Sequence, residues 1–166
     1  LSGISQNLGG REMASYDMHW EQGNHNQKLV NEIVDKTRPI HYCDWAITIA
    51  FYAAVHYVEA FLKRGYQCHS DDKRDRHRFL KEKVYSLLTA KPVGTEYQNL
   101  LSTSISLRYL SDRGKTVKST AGRWLSDDAV RQMALVDLGK IKASVTHQLN
   151  LMSQTTDGKA ESSDSS

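Results

Sequence analysis

The sequence predicts an all-α fold, a bundle of about five helices around one long central helix. Three observations predict it. The 166 residues include only two prolines and ten glycines, too few to punctuate an all-β chain with tight turns. Apolar residues recur three and four apart, the period of an amphipathic helix. And after Asp44 the chain runs to Gly65 with no turn-forming residue on the way, longer than a strand.

The elements follow in order. Leu29, Val30, Ile33 and Val34 keep helical spacing, and Thr37-Arg38-Pro39 ends that segment because the residue before proline disfavours the helical region. In the central segment Asp44 is an N-cap or first-turn acid, Lys63 and Arg64 complement the C-terminal dipole, and Gly65 is a ready stop. A third helix is expected from Ser70-Asp71-Asp72, a capping serine followed by acids. Its buried face would be Phe79, Leu80, Val84, Leu87 and Leu88, and Pro92 with Gly94 closes it. The fourth runs from about Thr95 to Leu110, with Tyr97, Leu100, Leu101, Ser104, Ile105 and Arg108 at helical spacing. The last opens at Ser126-Asp127-Asp128 and turns Val130, Ala134, Ile141, Val145 and Leu149 inward. Between these two lies a basic stretch, SDRGKTVKSTAGRWL, too long for a simple helical connector. By composition, 1–15 is a flexible extension, 16–152 the bundle, and the serine-rich 153–166 a disordered tail.

Hydrophobic residues are 39% and charged residues 25%, the make-up of an ordinary globular chain. A net charge of +3 and a pI near 8.8 suit an acidic partner without resembling a histone-like tail. No unbroken run of 18 apolar residues exists, so no membrane span is expected. The start, LSGISQNLGGRE, lacks the basic and apolar regions of a signal peptide. Two cysteines, Cys43 and Cys68, allow one bridge at most, and a reducing cytoplasm is the expected compartment.

Thr48, Tyr52, His56, Glu59 and Lys63 fall four, four, three and four residues apart, one face of an otherwise apolar helix. The opposite face, Ile47, Phe51, Ala54, Val55, Val58 and Leu62, belongs to the core. The polar stripe reads in two ways. It is a solvated edge, or it is a site in which Glu59 orients His56 and Tyr52 supplies a hydroxyl one turn away. A histidine in so apolar a segment needs a partner if buried, and Glu59 is the nearest candidate.

Six of the eleven residues from Lys73 to Lys83 are basic: Lys73, Arg74, Arg76, Arg78, Lys81 and Lys83, with His77 among them. The long basic stretch adds Arg113, Lys115, Lys118 and Arg123. Such segments attract phosphate backbones through counterion release, so RNA or DNA is one partner class. A surface helix kept soluble by charge, balanced by Asp71, Asp72, Asp75 and Glu82, is the other reading. Tyr109 and Trp124 flank the basic stretch, as base-stacking groups or as core anchors. Seven histidines raise the question of a metal, but there is no CxxC, HxxxH or ExxH, so no metal is expected. No P-loop, GxGxxG or GxSxG occurs either, which leaves no cofactor and no serine hydrolase to predict. Both cysteines read as structural.

The stretch DWAITIAFYAAVHYVEAFLKRGYQCHSDDKRDRHRFL resembles the HEPN superfamily. These are small α-helical bundles of toxin–antitoxin, abortive-infection and CRISPR-associated proteins. The resemblance rests on Asp44, Trp45, Ala46, Phe51, Tyr52, Ala53, Ala54, His56, Glu59, Ala60 and Gly65. The flanking GNHNQKLV (23–30) and Tyr97, Leu100, Ser104, Arg108 and Tyr109 look similar too. It implies a homodimer, RNA as a partner and, in some systems, a nucleotidyltransferase-type antitoxin. Many members are metal-independent RNases whose arginine is followed a short way on by a histidine. Histidine moves the 2′-hydroxyl or leaving-group proton, and arginine holds the developing phosphate charge. Here that spacing is met by Arg64 and His69. They lie just after the central helix, where the family's pair lies on a late helix, and Gly65 follows the arginine where a polar residue often stands. The resemblance therefore implies first a degenerate, non-catalytic module that binds RNA, a nucleotide or a protein. Its binding residues would be Tyr52, His56, Glu59, Arg74, Arg78 and Arg108. The alternative is an endoribonuclease using Arg64 and His69.

Overall fold

The computed structural model describes residues 14–35, 37, 39–68, 70, 75–109 and 125–160. All its regular structure is helical, with no strand among the described residues. Helix α1 spans Tyr16–Ile33, α2 Cys43–Tyr66, α3 Arg76–Leu87 and α4 Gly94–Tyr109. Helix α5 joins three contiguous stretches: α-helical Asp127–Arg131, π-helical Gln132–Asp137 and α-helical Leu138–Ala160. The basic stretch after α4, with Arg113, Lys115, Lys118, Arg123 and Trp124, lies outside the described residues.

Local chemistry sets most of the boundaries. Ser15 starts α1 by accepting from Met18 N, and Asp35 Oδ1 takes both Thr37 N and Thr37 Oγ1 just beyond its end. The Ser15 oxygen satisfies a donor that the helix start leaves orphaned, and Asp35 ties the turn that follows the helix. Ser126 caps α5 by accepting from Ala129 N at 3.2 Å, with Asp127 and Asp128 in the first turn. Tyr42, not Asp44, occupies the N-cap of α2, and Asp44 is its first-turn acid.

Three sequence expectations are corrected. Gly65 does not stop α2: the helix continues to Tyr66, and Gln67 takes the left-handed conformation at φ 51°. Leu62 O accepts the N–H groups of Gln67 and Cys68 there, closing the end as a Schellman-type turn does. The glycine serves packing instead, since a Cβ at Gly65 would lie 2.9 Å from Met152 Sδ of α5. Ser70 does not cap α3, because its hydroxyl and N–H are bonded to the buried Glu59. The cap is Asp75, accepting from Arg78 N at 3.1 Å. Finally, helical backbone continues through Ser153 to Ala160, where composition predicts a disordered tail. Propagating an established helix costs far less than nucleating one, so a polar sequence follows a packed turn. Met152 packs against the core just before it.

Helix α2 is the axis of the fold. Helix α1 lies along it, α4 and α5 cover its other sides, and α3 leans on α4 and the edge of α2. Ile47, Phe51, Ala54, Val55, Val58 and Leu62 are all buried, as the spacing predicts. Burying each large apolar side chain is worth about 1.5–3 kcal/mol, so α2 alone supplies much of the driving force. By length and composition α2 is also apolar enough to cross a membrane, with a mean hydropathy of 1.4 over its best 18 residues. The absence of an unbroken apolar run hid this in the sequence. In the structure 78% of that window is buried inside the bundle.

Candidate functional site

The polar stripe of α2 divides between the interior and the surface. Thr48 and Glu59 are buried, His56 and Lys63 half-buried, and Tyr52 exposed. Glu59 has no solvent exposure, and its carboxylate accepts from Ser70 N, Ser70 Oγ and the Arg76 guanidinium, with Arg76 Nη2 at 3.4 Å. A buried carboxylate is tolerable only with such charge-assisted partners. It thereby fastens the start of α3 to α2. One hydrogen bond of His56 goes to α1, with His19 Nδ1 3.1 Å from His56 Nδ1. His19 is thus a partner of His56 that the stripe alone does not reveal. No sequence motif singles out His19, although it shares a four- and seven-residue rhythm with the buried Gly23 and Val30 of α1.

Tyr52 stands beside α4. Arg108 donates through Nη1 to Tyr52 Oη at 2.8 Å, through Nε to Ser104 O at 3.2 Å and through Nη2 to Ser104 Oγ at 3.3 Å. The guanidinium carbon is 5.4 Å from the Tyr52 ring centre. These bonds come from one turn of its own helix and one neighbouring hydroxyl, so the head of Arg108 is held in place. His77, one residue into α3, packs its ring 5.3 Å from that of Phe51. Burial pushes its pKa below the ordinary value of 6.5; the Arg108 and Arg76 charges push the same way, against a smaller opposing effect of Asp75. Burial is thus the main cause of the shift, and the neighbouring Arg108 and Arg76 charges add to it.

The basic segment is only partly spent inside. Arg76 bridges to Glu59, Arg78 pairs with Glu82 at 3.0 Å on the exposed side, and Lys83 Nζ sits 5.5 Å over the Phe79 ring. Exposed i,i+4 pairs contribute little to stability, so Arg78 remains available to solvent and partners. Arg74 lies outside the described residues.

Arg64 is directed elsewhere. Its guanidinium lies 4.9 Å over the Tyr16 ring, and with Trp20, Thr146, Leu149, Asn150 and Ser153 it lines a small cleft of about 80 Å³. That cleft is formed by α1, the end of α2 and α5. His69, its expected partner, lies outside the described residues. Cys43 donates its thiol to Ile40 O at 3.4 Å. Burial first, then Asp127 and Asp44, raises the Cys43 pKa, so the thiol keeps its proton. Neither Cys43 nor Cys68 forms a disulfide. Among the described residues, no group of three or more His, Cys, Asp or Glu side chains could hold a metal ion.

What the fold and the site define together is a helical bundle in which an exposed tyrosine of α2 and an anchored arginine of α4 meet beside the start of α3. Comparison with family models, with curated proteins and with solved structures gives no match for this chain.

Proposed function

We propose that this chain is a non-catalytic, HEPN-like module that binds RNA on the surface where α2, α3 and α4 meet. The observation that carries the reading is Arg108, a guanidinium anchored by Tyr52 and Ser104 beside neutral His77 and the basic α3. A pre-oriented guanidinium binds a phosphate without first losing its own rotamer freedom. Exposed Arg78 extends the positive surface along α3, and the Tyr52 ring offers a π-face next to it. Arg64, turned to Tyr16, takes no part in this surface, which favours binding over cleavage by Arg64 and His69. In keeping with the resemblance, the module would act in a toxin–antitoxin or defence system, as a homodimer or with a nucleotidyltransferase-type partner.

Fluorescence anisotropy with a labelled RNA oligonucleotide, titrated between about 50 and about 200 mM salt, tests the proposal. Affinity is expected to fall steeply with salt. Arg108→Gln is expected to weaken binding about tenfold and to lower the salt slope by about one. Salt-independent binding, or an Arg108→Gln variant equal to wild type, would overturn it. RNA incubated with the protein in EDTA should stay intact. Cleavage lost in both Arg64→Ala and His69→Ala would replace the non-catalytic reading with the ribonuclease.

A further inference from the structure

Tyr42 at the N-cap and Trp45, Ile49 and Tyr52 within α2 follow one another three, four and three residues apart, which places the three helical residues on one narrow face of the first half of α2. Three of them are aromatic, Tyr42 and Trp45 well exposed at 64% and 59% and Tyr52 less so at 36%. Ile105, exposed on the neighbouring α4, lies one turn before Arg108. The stripe covers about 15 Å of helix axis. At its inner end Tyr52 holds Arg108, so the aromatic row runs directly into the anchored guanidinium.

A lone exposed apolar residue needs no explanation, but several aromatic side chains along one end of a helix do. Trp45 is the informative member. Tryptophan carries a large apolar area and is seldom left in water, and here most of the side chain stays outside the bundle. We propose that the Tyr42–Trp45–Tyr52 stripe is a stacking platform for unpaired RNA bases, with the phosphate of the same strand seated on Arg108. This rests on the RNA-binding reading above and narrows it to strands whose bases are free to unstack. Charge complementarity at the Tyr52 end selects this occupant: an aromatic row ending on a fixed cation, next to the basic α3, matches a polyanion with π-faces, whereas at the other end, near Asp44 and Asp127, stacking alone would hold the strand. In a duplex the bases are already paired and stacked, so only the backbone would be available to the surface. Every base has a π-face, so the platform predicts little sequence preference.

The test compares, by anisotropy on the full chain, an oligouridine strand, an abasic strand with the same ribose–phosphate backbone, and a duplex of equal length. Oligouridine is expected to bind about tenfold more tightly than either of the others. Trp45→Ala and Tyr42→Ala should each weaken oligouridine binding about fivefold or more, with the salt slope and the affinity for the abasic strand unchanged. Both side chains are exposed, so the variants keep the core, and an unaltered helical circular-dichroism spectrum checks this. Equal affinity for all three nucleic acids, with Trp45→Ala like wild type, would overturn the platform and leave salt-dependent RNA binding standing. No salt-dependent binding to any of them would overturn both. Ultracentrifugation of Trp45→Ala separates one further case: dissociation of a dimer with RNA affinity intact would make the stripe a contact between copies and overturn the platform.

Discussion

His77 shows how burial and two neighbouring charges act together on one side chain. It is partly buried against Phe51 and faces Arg108 and Arg76, so the folded chain resists a proton that the unfolded chain accepts. The linkage has a definite sign. Below pH 6.5, the ordinary value, unfolded molecules bind a proton at this position and folded ones do not, so stability at this site falls as the pH drops towards the folded pKa. Above pH 6.5 both states are neutral and the contribution is constant. Arg108→Gln removes one of the two positive charges that add to the effect of burial. The His77 imidazole should then titrate closer to its ordinary value, as followed by NMR of the ring C–H protons, and the acid loss of stability should shrink. An unchanged titration would mean that Arg108 does not contribute to the shift. Little of this was legible in the sequence, because it depends on which helices meet. Tyr52, Ser104 and Arg108 could each be placed on a helix face, yet the bond between Tyr52 and Arg108 joins positions 56 residues apart. Glu59 was legible as a member of a stripe. Its burial, and its preference for Ser70 and Arg76, required knowing where the chain turns after α2.

At the scale of elements, the glycines separate packing from propensity. Gly23 of α1 lies against Tyr57, whose ring would be 2.7 Å from an added Cβ. That ring cannot swing away: Tyr57 is fully buried, its hydroxyl lies within 3.1 Å of Asn24 Oδ1 and 2.8 Å of Gln27 Oε1, and Lys142 Nζ donates to the same two amide oxygens. Gly23→Ala should therefore cost about 1–3 kcal/mol despite the better helix propensity of alanine. Gly139 of α5 has nothing within 4 Å of the equivalent position, so Gly139→Ala should stabilise by about 1 kcal/mol. Urea midpoints at constant m-value check the pair. Matching shifts of the same sign would contradict the packing of α1 on α2. The π-helical stretch has an equally local cause. Its wider turn brings residues five apart into line, and Gln132 Nε2 donates to Asp137 Oδ1 at 3.0 Å across that interval. The elements themselves were largely legible, since apolar spacing and the Ser126 cap are properties of adjacent residues. The start of α3 was not: Ser70-Asp71-Asp72 has the composition of a cap, but the pull of the buried Glu59 on Ser70 outweighs it.

Across the whole molecule, the fold sets two surfaces apart. On one side Arg64, Tyr16 and Trp20 border the small cleft between α1 and α5. On the other, Arg108 and Tyr52 border the junction of α2, α3 and α4, with the exposed Trp45 two turns earlier on α2. A net charge of +3 is too small to make the entire surface a polyanion trap, so an RNA strand would be guided by where the charge is concentrated and by what flanks it. The central claim is that the strand lies on the second surface. Ultraviolet cross-linking of the full chain to an oligouridine RNA, with the attached peptides mapped by mass spectrometry, tests it most directly. Attachment at Trp45 or Tyr52 in α2 and near the end of α4 is the predicted result. Attachment confined to Tyr16 or Trp20, with α2 untouched from Tyr42 to Tyr52, would contradict it and move the binding site to the Arg64 side of the bundle.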